Sequence, residues 1–172
     1  GDPSANMHFR NNLFLGRDTP GRGILMLAHA TDAFSSDYNG YRPNKGVADQ
    51  YRLLLPEKGQ RLYEPRPEDW RTFPTLAALV AATGQERHSM EIDFDLFQKL
   101  APPDPSLRHA VYHAMDLNFQ LRSDSKAVDA GVVIPTVNED FSGKAPDLGA
   151  LESGQPLPHY GPRWLTWQPF YR

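Results

Sequence analysis

Two short stretches near the start of the chain can be laid over each other, and no other feature constrains the fold as much. Asn6–Gly16 reads NMHFRNNLFLG and Thr31–Tyr41 reads TDAFSSDYNGY. At an offset of 25 residues Phe9 falls on Phe34, Asn11 and Asn12 fall on Ser36 and Asp37, and Leu13 falls on Tyr38. Each copy is a β-prone run broken by small polar residues that favour a bend. Self-similarity at a few tens of residues marks a stacked architecture, in which each repeat buries its apolar face only against its neighbours. Between the copies, Ile24–Ala28 (ILMLA) supplies a further buried strand.

Beyond the second copy the texture changes. Residues 42–74 are broken by prolines and glycines with charges between them, and read as a long excursion holding one short strand, Gln50–Leu55. Loops of that length usually act or cover something. One helix is well signalled. Thr75 is placed to cap it, Leu76–Thr83 (LAALVAAT) is rich in Ala and Leu, and Gly84 suits the left-handed residue that ends it. Ser89–Phe97 (SMEIDFDLF) alternates polar and apolar residues and predicts an extended segment, and Asp116–Leu121 predicts another strand.

With 172 residues the chain is long enough for one domain with a real core. Its 16 prolines and 13 glycines point to many turns and extended segments, with little room for long helices. Lys and Arg number 18 against 21 Asp and Glu, with no excess of positive charge, so no nucleic-acid partner is expected. No apolar run approaches the roughly 20 residues that cross a bilayer, so no membrane span is expected. Cysteine is absent, which excludes disulfides and leaves the compartment open. The chain begins at Gly1-Asp2 without Met or a signal peptide and reads as processed or cut from something longer.

Ser125–Pro135 (SKAVDAGVVIP), Asn138–Gly154 (NEDFSGKAPDLGALESG) and Pro158–Arg163 (PHYGPR) carry a resemblance. Together they resemble the C-terminal end of bacterial right-handed parallel β-helix proteins, the pectate-lyase-like superfold of many polysaccharide lyases and glycoside hydrolases. The family phrase runs S-P-A-x-D-A-G, a loop, then P-D-x-G-A-x-E-x-G; here Lys126 stands where Pro is usual. The upstream FRNNLFLG and SDYNGY pieces look like late coils of that fold, and the helix with TGQERHS looks like an insert before the terminal cap.

The resemblance implies an all-β chain, a right-handed parallel β-helix with one short helical insert: late β-helix coils over 1–41, the loop excursion over 42–74, and the helical insert with its connecting segment over 75–115. A final coil, C-terminal cap and aromatic tail would follow over 116–172. It also implies an extracellular or periplasmic carbohydrate-active protein, a lyase or hydrolase acting on an acidic polysaccharide. The alternative is a non-catalytic β-helix serving as a carbohydrate-binding, adhesin or structural surface component. The first coil of such a stack exposes unpaired strand edges. Besides polysaccharide, the expected partner is therefore the N-terminal remainder of the same β-helix, or another chain, covering that coil.

The candidate substrate-binding residues are Tyr38, Tyr41, Arg42, Arg87 and His88; no catalytic residue is assigned. A lyase needs a base near the sugar C5 and a cation to neutralise the acid group, and Tyr38 and Arg42 have that chemistry. Tyr41 could stack on a sugar ring. The structural reading of the same stretch has Asp37 and Asn39 capping a turn while Tyr38 packs inward. Arg87 and His88 suit a substrate contact, or His88 bonds a backbone carbonyl at the helix exit.

Metal readings are weaker. Asn138, Asp140, Ser142 and Gly143 match the opening of a calcium loop, but Gly149 stands where a bidentate Glu is required and Pro146 interrupts the loop. Val137–Gly154 therefore reads as the closing turn and last strand of a stack, with Asp147 accepting backbone N–H groups. Glu91, Asp93 and Asp95 alternate and on a strand would share one face, either a Ca2+ site or a solvated face that discourages edge pairing. No metal ligand is assigned, and Ca2+ is the one cofactor such a row would take. The tail YGPRWLTWQPFYR either seals the outside of the stack or forms a carbohydrate platform.

Overall fold

The computed structural model describes residues 4–62, 64–107, 109–113 and 116–157. The described chain consists mainly of short strands with a single α-helix. The strands are β1 (Met7–Phe9), β2 (Leu13–Leu15), β3 (Leu25–Ala28), β4 (Phe34–Ser36), β5 (Gly40–Arg42) and β6 (Tyr51–Leu54). Then follow β7 (Trp70–Phe73), helix α1 (Leu76–Thr83), β8 (Met90–Glu91), β9 (Phe97–Lys99) and β10 (Asn118–Leu121). No helix among the described residues is long and apolar enough to cross a membrane.

The chain passes twice through the same three positions. β1 pairs in parallel with β4, β2 with β5, and β3 with β6. β8 adds a third parallel layer, giving the order β2-β5-β8. The internal similarity thus corresponds to real stacking, with a corrected register: His8 sits opposite Ser35, 27 residues on, and Leu13 sits opposite Gly40 rather than Tyr38. At the bend between the first two strands, Asn39 Oδ1 accepts the Asn12 backbone N–H and the Asn12 side-chain amide, each at 3.1 Å. That stack satisfies polar groups where the strand ladder is interrupted.

The all-β class holds in this coarser form. Among the described residues the sheets contain two or three strands, β7 runs antiparallel to β6, β10 runs antiparallel to β9, and no sheet closes. Three local expectations change. Residues 42–74 hold not only β6 but also β7, which folds back on it. Ser89–Phe97 is not one extended run: β8 ends at Glu91, and Asp93 caps a single 3-10 turn, Phe94–Leu96, by accepting the Phe94 N–H at 2.8 Å. Glu91, Asp93 and Asp95 therefore do not share a strand face. Residues 137–154 fold as turns and bends without a strand. The aromatic tail lies outside the described residues.

Helix α1 follows its local signals. Thr75 Oγ1 accepts the Ala78 N–H at 3.1 Å, and Gly84, at φ 69°, donates to the Val80 carbonyl at 2.9 Å. Leu76 and Leu79 are buried from it.

Strand alternation divides the middle sheet between two cores. Phe14 and Tyr41 face one way, their rings stacked 4.9 Å apart, and Tyr41 meets Tyr51 edge-on at 5.4 Å. Leu25, Leu53, Phe73 and Leu79 complete this cluster. Leu13, Leu15, Met90 and Ile92 pack with Phe94, Phe97, Leu121, Ala127 and Leu148. Burial of each large side chain contributes about 1.5–3 kcal/mol, so both faces of the sheet are stabilised by packing.

The C-terminal segment is stitched to the first pass of the chain. Asn11 Nδ2 donates to the Val132 carbonyl at 2.7 Å and the Val132 N–H donates back to Asn11 Oδ1 at 2.8 Å, across 121 residues of sequence. The Gly149 N–H donates to the Asn11 carbonyl at 2.8 Å. Lys126 donates from Nζ to the Glu91 carbonyl. Gly149 adopts φ 98°, and a Cβ there would lie 2.8 Å from Leu13 Cδ1. Gly149→Ala should cost about 2 kcal/mol through backbone strain and crowding, read as a lower urea midpoint at constant m-value. An unchanged midpoint would mean that this turn does not depend on its contact with Leu13.

Candidate functional site

The chain leaves β4 at Ser36, bends at Asp37 and Tyr38, and enters β5 at Gly40. Tyr38 sits at φ 56°, a left-handed conformation uncommon for a bulky side chain. The bend is held on both sides: Asp37 Oδ1 accepts the Tyr38 N–H at 2.9 Å, and the Tyr38 carbonyl accepts the Asn11 N–H at 2.8 Å. His88 arrives from beyond the helix exit, 51 residues after Asp37. Its backbone N–H donates to Asp37 Oδ1 at 2.7 Å, and its ring Nδ1 lies 2.8 Å from Asp37 Oδ2. The Tyr38 ring stacks on the imidazole, with centroids 4.5 Å apart and planes 14° from parallel.

Burial works against ionisation of Asp37, but the bonds from the His88 ring and from the His88 and Tyr38 N–H groups outweigh it. Its pKa is held below the usual carboxylate range. An ionised carboxylate only accepts, so His88 Nδ1 is the donor, and a neutral His88 then turns the lone pair of Nε2 outward. The His88 side chain is 57% exposed. An oriented imidazole with one nitrogen open to solvent and an aromatic face beside it has the make-up of a general base.

The outward side of β1 and β4 extends this cluster. His8 Nδ1 lies 2.7 Å from Ser35 Oγ, and Arg10 Nη2 donates to the same hydroxyl at 2.9 Å. Arg10 Nη1 also donates to the Phe9 carbonyl at 2.7 Å. Ser36 is buried, so alternation turns its strand neighbour Ser35 to the outward side, and at the bend that follows the Asp37 N–H donates to the Phe9 carbonyl at 3.2 Å.

Two of the five predicted site residues lie inside the protein. Tyr41 is fully buried and donates its hydroxyl to Glu86 Oε1 at 2.6 Å; burial, then the Glu86 carboxylate, push the phenol pKa far up. It cannot stack on a sugar. Arg42 is 3% exposed and is held entirely by its own chain. Its Nη1 and Nη2 each meet an Asp18 oxygen at 2.9 Å, Nε meets Asp93 Oδ1 at 2.8 Å, and Nη1 also donates to the Gly16 carbonyl at 2.6 Å. The Phe94 ring centroid lies 5.2 Å from its guanidinium. Arg42 is a cross-tie, not a substrate contact.

The other three lie at the surface. Tyr38 and His88 meet, and Tyr38 stacks on His88 instead of packing inward. Arg87 is exposed and donates from Nε to the Gly84 carbonyl at 3.1 Å, finishing the helix exit. His88 takes a carboxylate, not the expected backbone carbonyl. Sequence reasoning missed His8, Arg10 and Ser35, because an offset of 25 sets His8 against Ala33 and conceals its pairing with Ser35.

No group of three or more His, Asp or Glu among the described residues is arranged to hold a metal ion. In the stretch that opens like a calcium loop, Asn138 Oδ1 accepts the Ile134 N–H at 2.6 Å. Asp147 accepts the N–H groups of Asp129 at 2.8 Å and Ser153 at 2.6 Å. The Asn138 and Ser153 bonds hold local turns, and the Asp129 bond ties two segments 18 residues apart.

No protein-family model matches the chain, and no curated protein or solved structure matches it either.

Proposed function

We propose that the chain forms the last coils of a right-handed parallel β-helix from a secreted, extracellular or periplasmic protein that binds an acidic polysaccharide and cleaves it by β-elimination. The observation that carries this reading is the Asp37–His88 pair at the surface, joined to Arg10 through the Phe9 carbonyl, which accepts both the Asp37 N–H and Arg10 Nη1. His88 Nε2 takes the C5 proton of a uronate residue. The electron pair forms the C4–C5 double bond, and the glycosidic oxygen on C4 departs. The Arg10 guanidinium supplies positive charge for the uronate carboxylate. Hydrolysis is less well supported, since it asks for two carboxyl groups facing across a groove, and both oxygens of Asp37 are already engaged.

The β-helix reading draws support from the parallel layers and the Asn12–Asn39 stack. Among the described residues, the strands of the first pass, β1, β2 and β3, are each paired on one side only. Those edges suit an N-terminal remainder of the same β-helix, or another chain, added as further parallel strands.

Incubation with polygalacturonate and with alginate, followed by the ultraviolet absorbance of unsaturated products, tests the reading. Activity is expected on at least one polymer, and His88→Ala should reduce it by about 100-fold or more. Polysaccharide binding without unsaturated products or new reducing ends would favour the non-catalytic carbohydrate-binding alternative. Neither binding nor products would overturn the proposal.

A further inference from the structure

The sheet β3-β6-β7 carries a feature that the proposed reaction does not use. Its register sets Met26, Arg52 and Thr72 in a row across three strands. All three are exposed, and they line a cleft of about 730 Å³ together with Arg22, Asp49 and Trp70. That size lies within the roughly 300–1,000 Å³ range of small-molecule sites.

The Arg52 guanidinium lies over the Trp70 ring, 4.8 Å from its centroid. Neither Arg52 nor the exposed Arg22 uses its guanidinium in an ion pair or hydrogen bond with any described residue. Asp49 is the only carboxylate among the lining residues. Stacking on the indole fixes the plane of Arg52 in advance, so little rotamer freedom is left to lose when an anion binds. A pinned guanidinium with free N–H groups suits bidentate recognition of a carboxylate. Met26, 63% exposed, supplies apolar surface beside it.

We infer that this cleft is a second carbohydrate site, in which Arg52, stacked on Trp70, holds the carboxylate of a uronate residue, Arg22 adds charge, and the sugar face lies against Met26. The choice of a uronate rests on the proposed function; the preference for an anion rests on the cleft itself.

The test titrates trigalacturonate into the protein by calorimetry and tryptophan fluorescence, with maltotriose as the neutral control. Trigalacturonate is expected to saturate and maltotriose is not. Arg52→Ala should weaken binding at least tenfold, and Arg52→Lys should lose most of the same affinity because it keeps the charge without the planar fork. Trp70→Phe should abolish the fluorescence change while calorimetry still reports binding. Circular dichroism and the urea midpoint of each variant verify that it is folded. Equal binding of the neutral sugar, no binding of trigalacturonate, or unaltered affinity in Arg52→Ala would overturn the inference. His88→Ala separates this site from the reaction: it should cut product formation by about 100-fold or more and leave trigalacturonate affinity at the cleft intact. Binding that depends on Arg52 in a protein that forms no products would uphold the cleft and count against the lyase.

Discussion

Replacing Arg42 by Leu should lower the unfolding free energy by about 3 kcal/mol, because breaking a buried ion pair strands its partners. The guanidinium is nearly inaccessible, while the side chains of Asp18 and Asp93 are 21% and 56% exposed. Leu would fill some of the volume beside Phe94 but leave the Asp18 carboxylate and the Gly16 carbonyl without their main donor. Adding Asp18→Asn and Asp93→Asn should recover part of the loss, since the stranded charges are then gone. Arg42 also holds both carboxyls below the ordinary range, chiefly through its hydrogen bonds to them. A depressed carboxyl contributes stability above the unfolded pKa of about 3.9 and loses it as the pH falls through the folded value. The Arg42→Leu protein should therefore lose less on acidification below about pH 4 than the parent does. Urea unfolding at pH 7 and pH 3 measures both effects; a variant as stable as the parent at pH 7 would show that the cross-tie contributes nothing.

Acidification from pH 6.5 to pH 4 should remove about 3 kcal/mol of stability that a His29→Leu variant keeps. His29 is 1% exposed, its ring lies 3.7 Å from that of Phe34, and neither ring nitrogen has a hydrogen-bond partner among the described residues. Burial lowers its pKa from the ordinary 6.5 to about 4. Between those values the unfolded chain takes up a proton that the folded chain does not, so stability rises with pH across this window. At about 1.4 kcal/mol per pH unit, the gap amounts to about 3 kcal/mol. Leu carries no proton and leaves no unpaired nitrogen, so the variant should match or exceed the parent at pH 7. Parallel stability-versus-pH curves for the two proteins would rule out His29 as the source.

Helix α1 was readable from the sequence to the residue, because Thr75, the Ala-Leu run and Gly84 act locally. The stacking was readable in kind but not in register. A slip of two residues leaves every side chain on its own face, so apolar pattern alone cannot separate an offset of 25 from one of 27. The Asn12–Asn39 stack makes that distinction, and it requires contacts between distant residues. Tyr41 and Arg42 looked like surface groups because nothing local reveals that Glu86, Asp18 and Asp93 converge on them. The strand expected over Ser89–Phe97 ends early because Asp93 pairs with Arg42 and caps the 3-10 turn. His88 was legible as a polar residue at a helix exit, but its meeting with Asp37 and Tyr38 depends on how two passes of the chain stack.

The reciprocal amide pairing of Asn11 with Val132 also has a temporal side. Asn11 is made 121 residues before Val132, so during synthesis the pass that holds Asn11 must wait for more than a hundred further residues before it is covered. Contacts of such long sequence separation slow folding, because the intervening loop must close before they form. Until then Leu13 and Leu15 lack the cover that Leu148 and its neighbours provide, leaving an interval in which the nascent chain is most open to mispairing.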